Sequence, residues 1–279
     1  MTHPASANPS PRLLSLAHLT VIDAGPLELI RAAAAGGFDH AGLRIVAPTA
    51  SDSIVPVIGD EAMIRAILAE MAATGVGILD VEAIWLTPAT DPAAFAAIAE
   101  TAARLGAAQV LTIGHDPEPN RQIENFSRLA ETARACGLGT RLEFIPYCVV
   151  NTIAAAQAVI DAAGVPGTGI MIDALHLRRS GGSAADLAAL APDGLSYIQL
   201  CDARRDPPFP DDLRREARGD RFYPGDGELD IAGLLVALPA GMPLSIEAPV
   251  AAHAGLSVVE RARLCGERTR ATLEALGQR

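Results

Sequence analysis

The chain has 279 residues, half of them apolar, and a formal net charge of −11. That length suits one large domain or two small ones and buries a core without staples; the acidic balance excludes the broad basic surface that nucleic acids need, though not a local basic pocket. No apolar run is long enough to span a membrane, and the spacing of Cys136, Cys148, Cys201 and Cys265 suggests neither a disulfide framework nor a zinc knuckle, so all four read as packed free thiols of a cytoplasmic protein.

The start, MTHPASANPSPR, is polar and Pro-rich and lacks the order of a signal peptide. Residues 1–11 are expected to form a flexible tail before a domain over 12–279. Strand-then-helix alternation follows. The first strand is predicted over 13–21, with a helix through PLELIRAAAA ending at Gly36-Gly37. The second is HAGLRI (40–45), followed by the helix DEAMIRAILAEMAAT. GILDVEAI (77–84) is third, and Asp91-Pro92 opens its helix. AQVLTIG (108–114) is fourth, with a helix over 120–136. TRLEFI (140–145) is fifth, and TIAAAQAVIDAA runs to Gly164. TGIMID (168–173) is sixth, LSYIQL (195–200) seventh and PLSIEA (243–248) eighth. A short helix is predicted from Ser183, another after the cap Asp230, and a last one from the capping-box pair Ser257 and Glu260.

Eight βα units predict an α/β fold, a single (β/α)8 TIM barrel. A doubly wound sheet would carry a Gly-rich loop after its first strand, and LTVIDAGPLE has none. In such a barrel the chemistry sits where the strands end. Strand five ends on Glu143, six on Asp173, seven on Gln199 and eight on Glu247, each after an aliphatic residue. Asp173 is read as free for chemistry, because Ser183 and Asp186 already supply a cap for the next helical segment. Three carboxylates and an amide aimed at one spot repel unless a cation joins them. The all-oxygen set suits Mn2+ or Mg2+ before Co2+ or Zn2+. The bland reading of each acid alone is an ion pair with a nearby arginine.

RLEFIP, DALHL, IQLCDA, RFYPGDGELD and LSIEAPV together resemble the xylose isomerase-like TIM-barrel family over residues 13–275. That family holds sugar phosphate isomerases and epimerases, keto-sugar epimerases, inosose dehydratases and dehydroshikimate dehydratases. The resemblance implies one divalent metal ion on Glu143, Asp173, Gln199 and Glu247, with Gln199 standing where His is commoner. Gln at this position leans toward the dehydroshikimate dehydratases. The resemblance also implies that Glu143 and Glu247 move protons and that His176 contacts substrate or donates a proton. Arg205, then Arg221, would bind substrate from the long loop 204–228, whose other arginines, Arg204, Arg214, Arg215 and Arg218, read mostly as a solvated face.

Glu82 and Trp85 at the end of strand three, and His115 at the end of strand four, are substrate-side or core residues with equal weight. His18 is a lesser candidate, and Cys201 is placed on the strand face opposite Gln199. The resulting expectation is a metal-dependent isomerase or epimerase that abstracts a proton next to a carbonyl of a sugar, keto-sugar or sugar phosphate. A dehydratase of the 3-dehydroshikimate or inosose type is the alternative. A phosphodiesterase or a non-catalytic accessory barrel ranks lower. The expected partner is a small polyhydroxylated or anionic substrate, with no nucleic acid and no membrane, and base rate alone favours a homodimer.

Overall fold

A computed structural model describes residues 12–48, 52–190 and 194–278, so the expected tail over 1–11 lies outside the described residues. Eight parallel strands close a barrel in chain order: β1 Leu14–Leu16, β2 His40–Arg44, β3 Gly77–Leu86, β4 Gln109–Gly114, β5 Gly139–Glu143, β6 Thr168–Asp173, β7 Ile198–Leu200 and β8 Leu244–Ile246. The helices are α1 Pro26–Gly36, α2 Glu61–Thr74, α3 Phe95–Arg104, α4 Pro119–Ala135, α5 Ile153–Ala163, α6 Ala174–Arg179, α7 Ala184–Ala188, α8 Leu213–Gly219, α9 Ile231–Ala237 and α10 Val258–Ala275. None of the described helices is long and apolar enough to cross a membrane.

The local signals explain these elements. Gly37 and Gly164 take the left-handed conformation at the ends of α1 and α5. Asp230 caps α9, and Ser257 with Glu260 caps α10, as their spacing predicts. One strand face packs on the helices through residues such as Leu43, Val81, Leu142, Ile170, Ile172 and Ile246. A second, smaller cluster joins Leu79, Leu111, Ile113, Met171 and Tyr197. The ring closes twice, through β1 on β8 at Leu14–Leu244 and Leu16–Ile246, and through α1 on α10. There the backbones pass so closely that a Cβ on Gly36 would lie 2.6 Å from the Ala262 carbonyl oxygen.

Three expectations are corrected. The first strand ends at Leu16 rather than residue 21: His18–Val21 is a 3-10 turn, in which His18 N–H donates to Glu82 Oε1 (2.7 Å) and the Thr20 hydroxyl to the Ile246 carbonyl (2.7 Å). Asp173 does cap a helix. The next helix is α6, starting at Ala174, and Asp173 Oδ1 accepts from His176 N–H at 2.9 Å. Because Ala174, Leu175 and Leu177 are all buried, ALHL carries no polar face to announce a helix. The loop 204–228 is not all loop: it contains α8, capped by the Asp212 side chain.

Candidate active site

Glu143 and Asp173 close β5 and β6, Gln199 lies one residue before the end of β7, and Glu247 follows β8 directly. All four are buried. Asp173 pairs in register with Gln199, and Gln199 with Ser245, which sets neighbouring side chains at one height. Gln199 Nε2–H donates to Glu247 Oε1 at 3.3 Å. Capping by Asp173 brings His176 back over the barrel, with its Nε2 3.8 Å from Glu143 Oε1. One ligand atom each from Glu143, Asp173 and His176 lies within 4.8 Å of the others. Glu143 Oε1 and Gln199 Oε1 are buried and have no hydrogen-bond partner among the described residues. Orphaned oxygens inside a cluster of acids are costly, and this hard donor set fits a divalent cation.

The site also contains its own cation. Arg221 is buried. Its Nη1 donates to Asp173 Oδ2 (2.6 Å) and to the Glu247 carbonyl (3.0 Å), its Nη2 lies 3.0 Å from Glu247 Oε2, and its Nε donates to the Ala217 carbonyl (2.7 Å). Burial pushes the Asp173 carboxyl up, but Arg221, His176 and the hydrogen bonds outweigh it and hold Asp173 below the ordinary carboxylate range. Glu143 has no such clamp; burial, then Glu247 and Asp173, push it well up. Glu247 rises to about 7, chiefly through burial.

A second acidic layer lies deeper in the barrel. Asp80 and Glu82 of β3 are buried, and burial raises both to about 7. The Tyr197 hydroxyl donates to Asp80 Oδ2 at 2.7 Å. Arg44 Nη2 reaches to 4.0 Å from Glu247 Oε1. Gly42 leaves the necessary space: a Cβ there would lie 2.8 Å from Asp80 Oδ1.

The pocket above the four strand ends is walled by Trp85, Glu143, Tyr147, His176, Arg214 and Glu247, among others. Trp85 therefore faces it. His115 is not part of its wall and stands edge-on behind Trp85, with ring centroids 5.7 Å apart. Glu82 belongs to the deeper layer and is held by His18 N–H. His18 is structural: its Nδ1 accepts from Arg44 N–H (3.1 Å) and its Nε2 donates to the Ala24 carbonyl (3.0 Å). Arg221 lines the pocket, but as the clamp on Asp173 and Glu247. Arg205 is exposed and lines an outer cleft with Arg178, Ser183 and Asp230. Its backbone is tied to Glu228 and Arg179. Cys201 does not face away from the site: its sulfur lies 3.5 Å from Arg221 Nη1, because residues two apart share a strand face.

Sequence reasoning passed over Arg44, Asp80 and Tyr197. The rule that found Glu143 would have found Arg44, which ends β2 and pairs in register with Glu82. Asp80 and Tyr197 stand two residues before Glu82 and Gln199, on the same faces. All 22 basic residues are arginine and the chain has no lysine.

Residues 30–265 match the family described as xylose isomerase-like TIM barrel. The chain is 28% identical over 115 residues to an inosose isomerase of Halalkalibacterium halodurans, covering 40% of this chain and 39% of that protein. It is 29% identical over 134 residues to a 3-dehydroshikimate dehydratase of Pseudomonas aeruginosa, covering 47% of this chain and 21% of the other. These matches span well under two thirds of either relative's length. A solved structure of an IolI protein with a bound zinc atom superposes with a TM-score of 0.75 at 19% identity, covering 95% of this chain and 99% of that one. At that identity the likeness is one of fold.

Proposed function

Because the chain belongs to the xylose isomerase-like TIM barrel family, we propose that it is a divalent-metal-dependent enzyme that removes a proton next to a carbonyl of a small polyhydroxylated substrate, as an isomerase or epimerase. The reading rests above all on the buried oxygens of Glu143 and Gln199 that have no hydrogen-bond partner among the described residues, with Asp173 and His176 beside Glu143 and Glu247 hydrogen-bonded to Gln199. A divalent ion on Glu143, Asp173, Gln199 and Glu247, Mn2+ or Mg2+ by ligand hardness, supplies the Lewis acidity that makes the neighbouring C–H acidic.

The chain's own residues do the rest. Glu143 and Glu247 stand three strands apart around the mouth, so each reaches a different side of a bound substrate. Burial raises both carboxyls, Glu247 to about 7, and a carboxyl so raised can take a proton and return it. Return to the opposite face gives an epimer, and return to the adjacent carbon gives an isomer. Trp85 and Tyr147 wall the pocket and exclude water. His176 sits beside Glu143, within reach of a substrate hydroxyl. A lysine imine, the alternative way to acidify such a C–H, is unavailable in a chain with no lysine.

Gln199 supports a second reading, as does the match to a 3-dehydroshikimate dehydratase. In it the electron pair left by the removed α-proton forms a C=C bond, and the β-hydroxyl leaves as water with the proton that the glutamate took, while His176 stays beside it to position the hydroxyl. Elemental analysis of the purified protein and of Glu247→Ala tests the shared premise. A divalent ion lost in the variant supports it, and no ion bound even on supplementation overturns it. Incubation with a sugar panel in D2O then separates the two: solvent deuterium in recovered or isomeric sugar marks the first, a dehydrated product the second.

A further inference from the structure

Resting on the reading of this pocket as an enolisation site, we propose that its substrate carries a carboxylate and that Arg214 receives it at the pocket mouth. Four arginines line the pocket, Arg44, Arg214, Arg218 and Arg221, against two acids, Glu143 and Glu247. Arg221 is taken by Asp173 and Glu247, and Arg218 by Asp52 at 2.6 Å. On α8, Arg215 lies over the Phe209 ring, 3.9 Å from its centroid. Arg214, exposed on the same helix, makes no ion pair or hydrogen bond with any described residue. Deeper in the same pocket, buried Arg44 keeps an Nε–H with no hydrogen-bond partner among the described residues. The pocket thus holds surplus guanidinium donors, one at its mouth and one deeper in.

A neutral polyol does not explain that surplus. A hydroxyl both donates and accepts, whereas a guanidinium only donates, and its planar fork matches the two oxygens of a carboxylate. Phosphate is disfavoured for a separate reason. Barrels seat phosphate on backbone N–H groups of the loops after strands seven and eight. Here the N–H groups of Gly225, Gly227 and Leu229 in the loop after β7 all donate to the Asp202 carboxylate, at 3.0, 2.9 and 2.9 Å. Those donors are already used, so the anion must be read by side-chain forks.

Titration calorimetry on the full, Mn2+-supplemented chain tests this with matched probes: quinate against myo-inositol, glucuronate against glucose, and glucose 6-phosphate as the phosphate arm. The expected result is a carboxylate preference of about tenfold in at least one pair, with glucose 6-phosphate binding no tighter than the better carboxylate. Arg214→Gln should erase that preference with melting temperature and metal content unchanged. Arg31→Gln, which removes the distant surface pair with Glu70, should keep it. No preference in either pair, whether both probes bind equally or neither binds, overturns the proposal. So does a preference that survives Arg214→Gln, or tighter binding of the phosphate. Elemental analysis of the same samples separates the two claims. Bound metal without carboxylate preference removes only this inference, and carboxylate preference without bound metal removes only the metal reading.

Discussion

Arg221 holds Asp173 and Glu247 with one guanidinium, at 2.6 and 3.0 Å, with all three side chains buried. Removing one partner of a buried pair leaves the other charge uncompensated. Arg221→Met should therefore destabilise the metal-free protein by roughly 3–5 kcal/mol in urea unfolding, with Mn2+ restoring part of the loss. Arg31→Gln, at an exposed pair screened by solvent, should leave the urea midpoint nearly unchanged. The deeper layer makes a pH prediction. Burial raises Asp80 from 3.8 to about 7, so between those values the folded chain keeps a proton that the unfolded chain has released. Its contribution to stability is complete below about pH 4 and is lost as pH rises through about 7. Asp80→Asn, which can still accept from Tyr197, should be more stable than the parent at pH 8 by on the order of 2 kcal/mol, with the gap narrowing at pH 5. Urea unfolding with chelator present measures both. At Glu143, exchange for Gln should lower turnover by about 10²–10⁴-fold in the D2O exchange assay, the range for a lost acid–base group.

Asp173 shows how one residue serves two elements. It ends β6 and caps α6, and the cap turns His176 back over the barrel beside Glu143. The strand-end rule found the residue, while its cap was hidden in an apolar stretch whose helix is only six residues long. The contact between α1 and α10 is the most demanding helix pair. A Cβ on Gly266 would overlap the Gly36 carbonyl oxygen, and Arg270 Nη1 donates to that same oxygen at 2.8 Å. Gly266→Ala must push the two helices apart and should cost about 1–3 kcal/mol, read as a lower urea midpoint with an unchanged slope. Ala271→Ser, on an intermediate-burial to exposed stretch of α10, should change little.

For the molecule as a whole, an ion held at the proposed site would bind the folded chain and not the unfolded one. Mn2+ at a hundred times its dissociation constant should add about 2.7 kcal/mol, and a chelator should remove that gain in a thermal melt. The barrel itself was legible in the chain: eight apolar runs alternate with helical periods, and glycines and caps punctuate them at the positions the structure uses. Periodicity and capping are local, so a linear string records them. The strand-end oxygens Glu143, Asp173, Gln199 and Glu247 were legible for the same reason, since the ends of parallel strands share one face of the barrel. What the string did not record was the pairing of charges from distant segments. Arg221 lies 48 residues from Asp173 along the chain, and loop residues of similar composition divided into a buried clamp, an outward-facing Arg205 and an Arg214 with no ion pair or hydrogen bond to any described residue. Those fates depend on which side chains closure brings within hydrogen-bond reach, and spacing along the chain does not encode that.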